Sequence, residues 1–172
     1  LPFKPKDAAC RGDEVYAVGE KGYYARVTKN SVELLFAPPG RYVTASADSG
    51  TGYVAGDRVL SYKGGAFRII EAPSGSYMAS SASGGTLALL SRDRIILVSD
   101  AGVKALPYAV SGYNDIWLSG DTILLAGRGL IEVSAGRMSS REILAGAELY
   151  AVNGYGAAGK NVLALLASGS AQ

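Results

Sequence analysis

Histidine is absent from this 172-residue chain, and cysteine occurs once, as Cys10. Without histidine there is no Ser/His/Asp or Cys/His nucleophile and no imidazole ligand for a metal. A single cysteine excludes an internal disulfide and the multi-thiolate sets that hold zinc or iron–sulfur clusters. Ser-x-x-Lys and Gly-x-Ser-x-Gly are missing as well, and no cofactor is implied. No apolar run approaches the ~18 residues of a membrane-spanning helix. The 17 Lys and Arg against 15 Asp and Glu leave a net charge of +2. With no basic cluster, that balance implies neither a nucleic-acid nor a membrane-surface partner. The chain has no Asn-x-Ser/Thr acceptor, no signal-like apolar segment and no initial Met. The Met-less start reads as processing, trimming or a segment of a longer protein, and favours an extracellular or cell-surface setting. Cys10, in Asp7-Ala8-Ala9-Cys10, is expected to be a buried small hydrophobe, with an intermolecular bridge as the alternative.

What is present is a repeat. Ala37-Pro38-Pro39-Gly40-Arg41-Tyr42 is echoed by Ala72-Pro73-Ser74-Gly75-Ser76-Tyr77, each after an apolar run and each before small residues. Tyr113 and Tyr150 continue the spacing. A period in the mid-thirties, made of short strands, belongs to a propeller or solenoid. Hydrophobic residues at 48% and charged residues at 19% are enough for a packed core, and 23 glycines allow many turns.

Each unit divides into four short strands. In the second unit these are 42–47, 53–55, 58–62 and 67–71, with Lys63-Gly64-Gly65 as a tight hairpin. In the third they are 77–82, 86–90, 94–98 and 103–106. The fourth offers 113–118, 122–126, 130–133 and 142–144, and the first 8–10, 15–18, 23–27 and 32–36. The fifth begins at Leu149 to Asn153 and lacks an outer strand of its own. Val162 to Leu166 reads there as the second strand by its likeness to Leu87-Ala88-Leu89-Leu90, or as the third, after a short strand at Tyr155 to Ala158. The first strands are rich in Ala and Ser, as expected where several sheets converge on an axis. The predicted fold is therefore all-β: a β-propeller of five short blades of about four antiparallel strands, spanning 1–172 as one domain. Leu1 to Lys4 is expected to pair with the last blade and close the ring, because an open edge exposes unpaired backbone. The rival is an incomplete arc completed by another segment or subunit.

Two familiar patterns carry little chemistry here. Gly154-Tyr155-Gly156-Ala157-Ala158-Gly159 fits G-x-G-x-x-G and nearly continues into a phosphate loop, but no acidic residue follows it and Asn161 stands where a hydroxyl is needed. It reads as a glycine-rich turn. Arg11-Gly12-Asp13, the cell-adhesion tripeptide, lies at a predicted turn, where Gly and Asp are ordinary.

The candidate binding residues come from the repeat phase. Asp7 and Asp115 share an inner-strand register with Thr44, Ala79 and Val152, which brings two carboxylates toward one axis. A carboxylate pair can serve glycoside hydrolysis, but acids in such a place also bond to turn backbone. Tyr42, Tyr77, Tyr113 and Tyr150 recur just before each inner strand. They ring a channel mouth as ligand contacts, or pack on the neighbouring unit as architecture. Trp117, on the fourth inner strand, is a further ligand contact.

The segment Val15 to Arg26 resembles a blade of the short-repeat propellers that include photosystem-assembly factors and sialidase-type Asp-box proteins. Ser99-Asp100-Ala101-Gly102 is similar to a partial Asp box without its aromatic. This resemblance implies a binding or assembly role and names no ligand. The expected function is a non-catalytic interaction or scaffolding module that binds a protein partner through one face. Glycan binding or hydrolysis in the central channel is the alternative. The oligomeric state is open.

Overall fold

The structure, a computed structural model, describes residues 3–154, 156–159 and 162–165. Its strands form five antiparallel sheets in chain order, each strand pairing with the one before it. The first sheet holds β1 (Pro5–Arg11), β2 (Glu14–Gly19), β3 (Tyr23–Val27) and β4 (Val32–Phe36). The second holds β5 (Tyr42–Asp48), β6 (Thr51–Gly56), β7 (Val59–Lys63) and β8 (Ala66–Ile70). The third holds β9 (Ala79–Ser83), β10 (Thr86–Leu90), β11 (Ile95–Ser99) and β12 (Gly102–Leu106). The fourth holds β13 (Tyr113–Ser119), β14 (Thr122–Gly127), β15 (Gly129–Ser134) and β16 (Ser139–Ala145). The fifth holds β17 (Leu149–Asn153), β18 (Gly156–Gly159) and β19 (Val162–Leu165).

The local signals act as hairpin chemistry predicts. At Lys63-Gly64-Gly65 both glycines have positive φ, 59° and 83°, the backbone of a two-residue turn that matches strand twist. The inner strands enter their sheets through a shared irregularity. The register shifts between Tyr42 and Thr44, between Tyr113 and Asp115, and between Leu149 and Ala151. Opposite these points stand Gly56, Gly127 and Gly159. A Cβ at any of the three would run into the backbone of the entering strand. Glycine is needed there for close backbone approach.

Period-two alternation gives each sheet two apolar faces, and the core lies between neighbouring sheets. Tyr16, Tyr24, Leu60 and Tyr62 fill the first interface, and Val59, Leu87, Leu89 and Ile96 the second. Leu90, Ile95, Ile123 and Leu125 fill the third, and Leu124, Leu130, Leu149 and Val152 the fourth. At roughly 1.5–3 kcal/mol for each fully buried large side chain, these layers are the main stabilising term.

Three sequence expectations change. In the fifth sheet the second strand is Gly156–Gly159, and Val162–Leu165 is third. The likeness to Leu87–Leu90 misled because Asn153 Oδ1 accepts the Gly156 N–H at 3.0 Å and turns the chain at once. Leu149 occupies the place of Tyr42 and Tyr113, one residue before Tyr150, so Ala151 and not Val152 is in phase with Asp115. Cys10 is exposed. Closure by Leu1 to Lys4 falls partly on Leu1 and Pro2, which lie outside the described residues. Of the other two, Phe3 stacks on Tyr23 of the first sheet at 5.6 Å and lies over Gly19, while Lys4 belongs to no strand. No ladder joins the first and last sheets among the described residues.

Candidate functional site

The inner strands β1, β5, β9, β13 and β17 surround one open central cavity of about 700 Å³. Their backbones do not form ladders with one another, so the contacts across the axis are made by side chains. Asp7 bridges β1 to β5. Its Oδ2 accepts the Ala45 N–H at 2.8 Å and the Thr44 hydroxyl at 2.9 Å, and its Oδ1 accepts the Ala8 N–H at 2.9 Å. Because the Thr44 proton goes to Asp7, the Ser80 hydroxyl, 3.0 Å away, donates to Thr44 and ties in β9. Ser81 Oγ accepts the Leu118 N–H at 3.0 Å, joining β9 to β13. Asp115 completes the series: its Oδ1 accepts from Ile116 and its Oδ2 from Val152 of β17, at 2.9 and 2.8 Å.

The two predicted acids therefore reach the same cavity, and both are occupied by backbone donors. Burial pushes the Asp115 carboxyl above the usual carboxylate range. The N–H bonds from Val152 and Ile116 pull it back, and the nearby Asp7 charge pushes it up again. Small side chains on β5 and β9 keep the axis open, as crowding around it requires.

The tyrosines separate into two groups. Tyr42, Tyr77 and Tyr113 are buried and stand away from the cavity lining. The Tyr42 hydroxyl donates to the Pro38 carbonyl at 2.7 Å, and Tyr77 does the same to Pro73 at 2.5 Å. Each hooks back onto the Ala-Pro-x-Gly linker that precedes it, which is why the linker and the tyrosine repeat together. Tyr113 lies under the Arg128 guanidinium, 5.4 Å from its ring centroid. Tyr150, displaced by one residue, is 55% exposed and lines the cavity with Trp117. The Trp117 ring lies where a Cβ on Gly154 would sit. Gly154 thus has a packing reason, and Gly159 a backbone one. Of the rest of that pattern, Tyr155, Lys160 and Asn161 lie outside the described residues.

Asp48, one residue beyond the expected strand 42–47, was not among the sequence candidates. It is 3% exposed, at the end of β5. Its carboxylate accepts the Gly85 N–H at 2.9 Å from the third sheet and pairs with Arg11 of the first at 3.2 Å. The Arg-Gly-Asp arginine is therefore engaged within the chain. No cluster of three metal-ligating side chains occurs among the described residues.

No family model and no curated protein matches this chain. Solved structures do. The computationally designed protein Ika8 is 11% identical with a TM-score of 0.69, over 91% of this chain and 53% of that one. The WD40 β-propeller domain of Doa1 gives 11% and 0.66, over 90% and 60%. YCF48 bound to D1 peptide gives 11% and 0.61, also over 90% and 60%. The fold is a β-propeller. Its blades are the five sheets, and this chain spans between about half and three-fifths of the length of these neighbours.

Proposed function

We propose that this propeller is a non-catalytic interaction module that holds a peptide segment of a protein partner in its central cavity. The observation that carries the reading is the state of the cavity's polar groups. Both oxygens of each carboxylate already accept a backbone N–H, one from its own inner strand and one from the next. A carboxylate so engaged is poorly placed to accept a proton from a substrate or to attack one. Tyr150 and Trp117 are left as apolar contact groups on the wall, in a cavity of a size usual for ligand sites. The similar YCF48 structure holds a peptide, and the likeness of the Val15–Arg26 hairpin to photosystem-assembly and Asp-box blades agrees with a binding role.

Trp117 is the chain's single tryptophan, so its emission reports on the cavity directly. Peptides selected from a random display library should shift that emission on titration. Tyr150→Ala, at an exposed side chain, should weaken them at least tenfold with the circular dichroism unchanged. Selected peptides that bind both proteins equally and leave Trp117 emission unmoved would place the interaction elsewhere. The carbohydrate reading rests on Asp7 and Asp115 facing one cavity beside two aromatic rings. A glycan array with a turnover assay separates it from the first: hydrolysis that disappears in Asp115→Asn, with folding intact, would put the enzyme ahead.

A further inference from the structure

Carboxylates on the inner strands reach across to the next blade. Asp7, Asp48 and Asp115 accept the N–H groups of Ala45, Gly85 and Val152 respectively. Asp7 and Asp115 also accept the N–H of the residue that follows each of them, Ala8 and Ile116. In the ladder register Ala8, Ala45, Ser80, Ile116 and Val152 are equivalent, each one step beyond Asp7, Thr44, Ala79, Asp115 and Ala151. Alternate residues of a strand turn their N–H groups away from the strand they pair with. These five therefore point to the axis at one level, and four of them are held by the two carboxylates.

The fifth is that of Ser80. No side chain or loop carbonyl among the described residues accepts it. The pattern offers two places for an acceptor: the residue before, as Asp7 serves Ala8, and the preceding blade, as Asp7 serves Ala45. Ala79 holds the first place and has no polar side-chain atom. Thr44 holds the second, and its hydroxyl is committed to Asp7 and to the Ser80 hydroxyl. Another donor lies in the same seam between β5 and β9. Ser46 stands between Thr44 and Asp48, on the strand face from which both reach the third blade. It lines the cavity, is 3% exposed, and its hydroxyl has no partner among the described residues. The seam thus holds two donors without an acceptor, in a wall where Lys6 and Arg11 balance the charges of Asp7 and Asp115.

We propose that this seam receives a carboxylate of the bound peptide, which takes the Ser80 N–H as Asp7 and Asp115 take its equivalents, with the Ser46 hydroxyl as a second donor. The inference rests on the peptide reading for the source of the carboxylate, an acidic side chain or a chain terminus. Its chemistry rests on the wall itself. There, carboxylates accept the equivalent N–H groups at 2.8 to 2.9 Å. A charged acceptor makes such a bond about twice as strong as a neutral one. Ser80 is half-buried and lines the cavity, so a ligand there meets this strand edge.

Acetate, with acetamide as its uncharged counterpart, tests the site on the full chain by amide NMR. Acetate should move the Ser80 amide proton downfield and leave those of Ala45 and Ile116, already bonded to carboxylates, in place. Acetamide should act at least tenfold more weakly. Ala79→Asn offers a side-chain oxygen to the same N–H and adds no charge, so the Ser80 response to acetate should be lost. If that variant does not fold, the two titrations of the parent decide alone. A Ser80 amide that acetate leaves still, an equal response to acetamide, or a response retained in folded Ala79→Asn would overturn the proposal. Peptides selected through Trp117 then separate the two sources. Exchanging their acidic residues for Asn or Gln, or amidating their C-terminus, should weaken binding at least tenfold in one case. Peptides that tolerate both changes would overturn the carboxylate and leave the peptide reading intact. A Ser80 response to acetate with no peptide selected would remove the peptide reading and leave the carboxylate site standing.

Discussion

The first and third interfaces occupy the same place in the repeat and are filled by different chemistry. Between the first and second blades lie Tyr16, Tyr24, Tyr62 and Phe67, with ring centroids 5.0 to 6.2 Å apart in tilted and edge-on arrangements. Their polar ends need partners. The Tyr16 hydroxyl donates to Glu14, which also pairs with Arg26, and the Tyr62 hydroxyl donates to Glu33 at 3.2 Å. The Tyr24 hydroxyl is buried and has no partner. Between the third and fourth blades, Leu90, Ile95, Ile123, Leu125 and Val133 meet through side chains without polar atoms, and Tyr113 is the one buried ring of that cluster among the described residues. An aromatic layer adds ring–ring contacts worth about 0.5–1.5 kcal/mol beyond area burial but carries hydroxyls that must be terminated. An aliphatic layer depends on shape alone.

The largest test of that contrast is Leu125→Ala, in the middle of the aliphatic layer. It should cost about 2–5 kcal/mol in urea unfolding, because the rigid neighbours cannot collapse onto the cavity left behind. A cost under about 1 kcal/mol would show the third interface to be loosely packed and erase the distinction.

Alkaline pH should act through buried tyrosines, of which the first interface holds more than the third. Burial, with the Glu14 carboxylate adding to it, raises the Tyr16 hydroxyl from the ordinary 10 to about 12, and Tyr24 and Tyr62 move in the same direction. Below pH 10 both the folded and unfolded chains keep the proton, so stability is level. Between pH 10 and 12 the unfolded chain releases it first, so stability falls as pH rises. Tyr16→Phe should flatten that fall in denaturant titrations across the window, whereas Leu125→Ala should lower the whole curve without changing its slope. An unchanged slope in Tyr16→Phe would show that the hydroxyl is not held out of water.

The smallest effect is expected at Tyr24→Phe. It removes a buried hydroxyl that has no partner and leaves the ring in place, so stability should stay level or rise by up to about 1 kcal/mol. A clear loss in calorimetry would mean that the hydroxyl is bonded to water inside the layer, and the aromatic interface would then be better satisfied than its geometry indicates.

Most of the architecture was legible in the chain because it is written in local chemistry. The paired Ala-Pro-x-Gly-x-Tyr segments, the Gly-Gly hairpins and the alternation along each strand all act within a few residues. The shared register of Asp7, Thr44, Ala79 and Asp115 follows from the period and was read correctly. The fifth blade was misread because its glycines weaken that local code. With Asn153 capping a turn and Leu149 in the place of a tyrosine, phase by residue type pointed one position too far.

What the sequence by itself determined is the repeat, the strand order within each of the first four units, and the absence of imidazole-based chemistry and of an internal disulfide. Only the tertiary structure decided that Asp7 and Asp115 each accept an N–H of the next blade, that Tyr42 and Tyr77 serve their own linkers, and that Asp48 ties three blades together. The reason is one of range. A strand's alternation is set by its own backbone, but a side chain's partner one repeat away depends on how neighbouring sheets are rotated and spaced about the axis, and no run of residues records that.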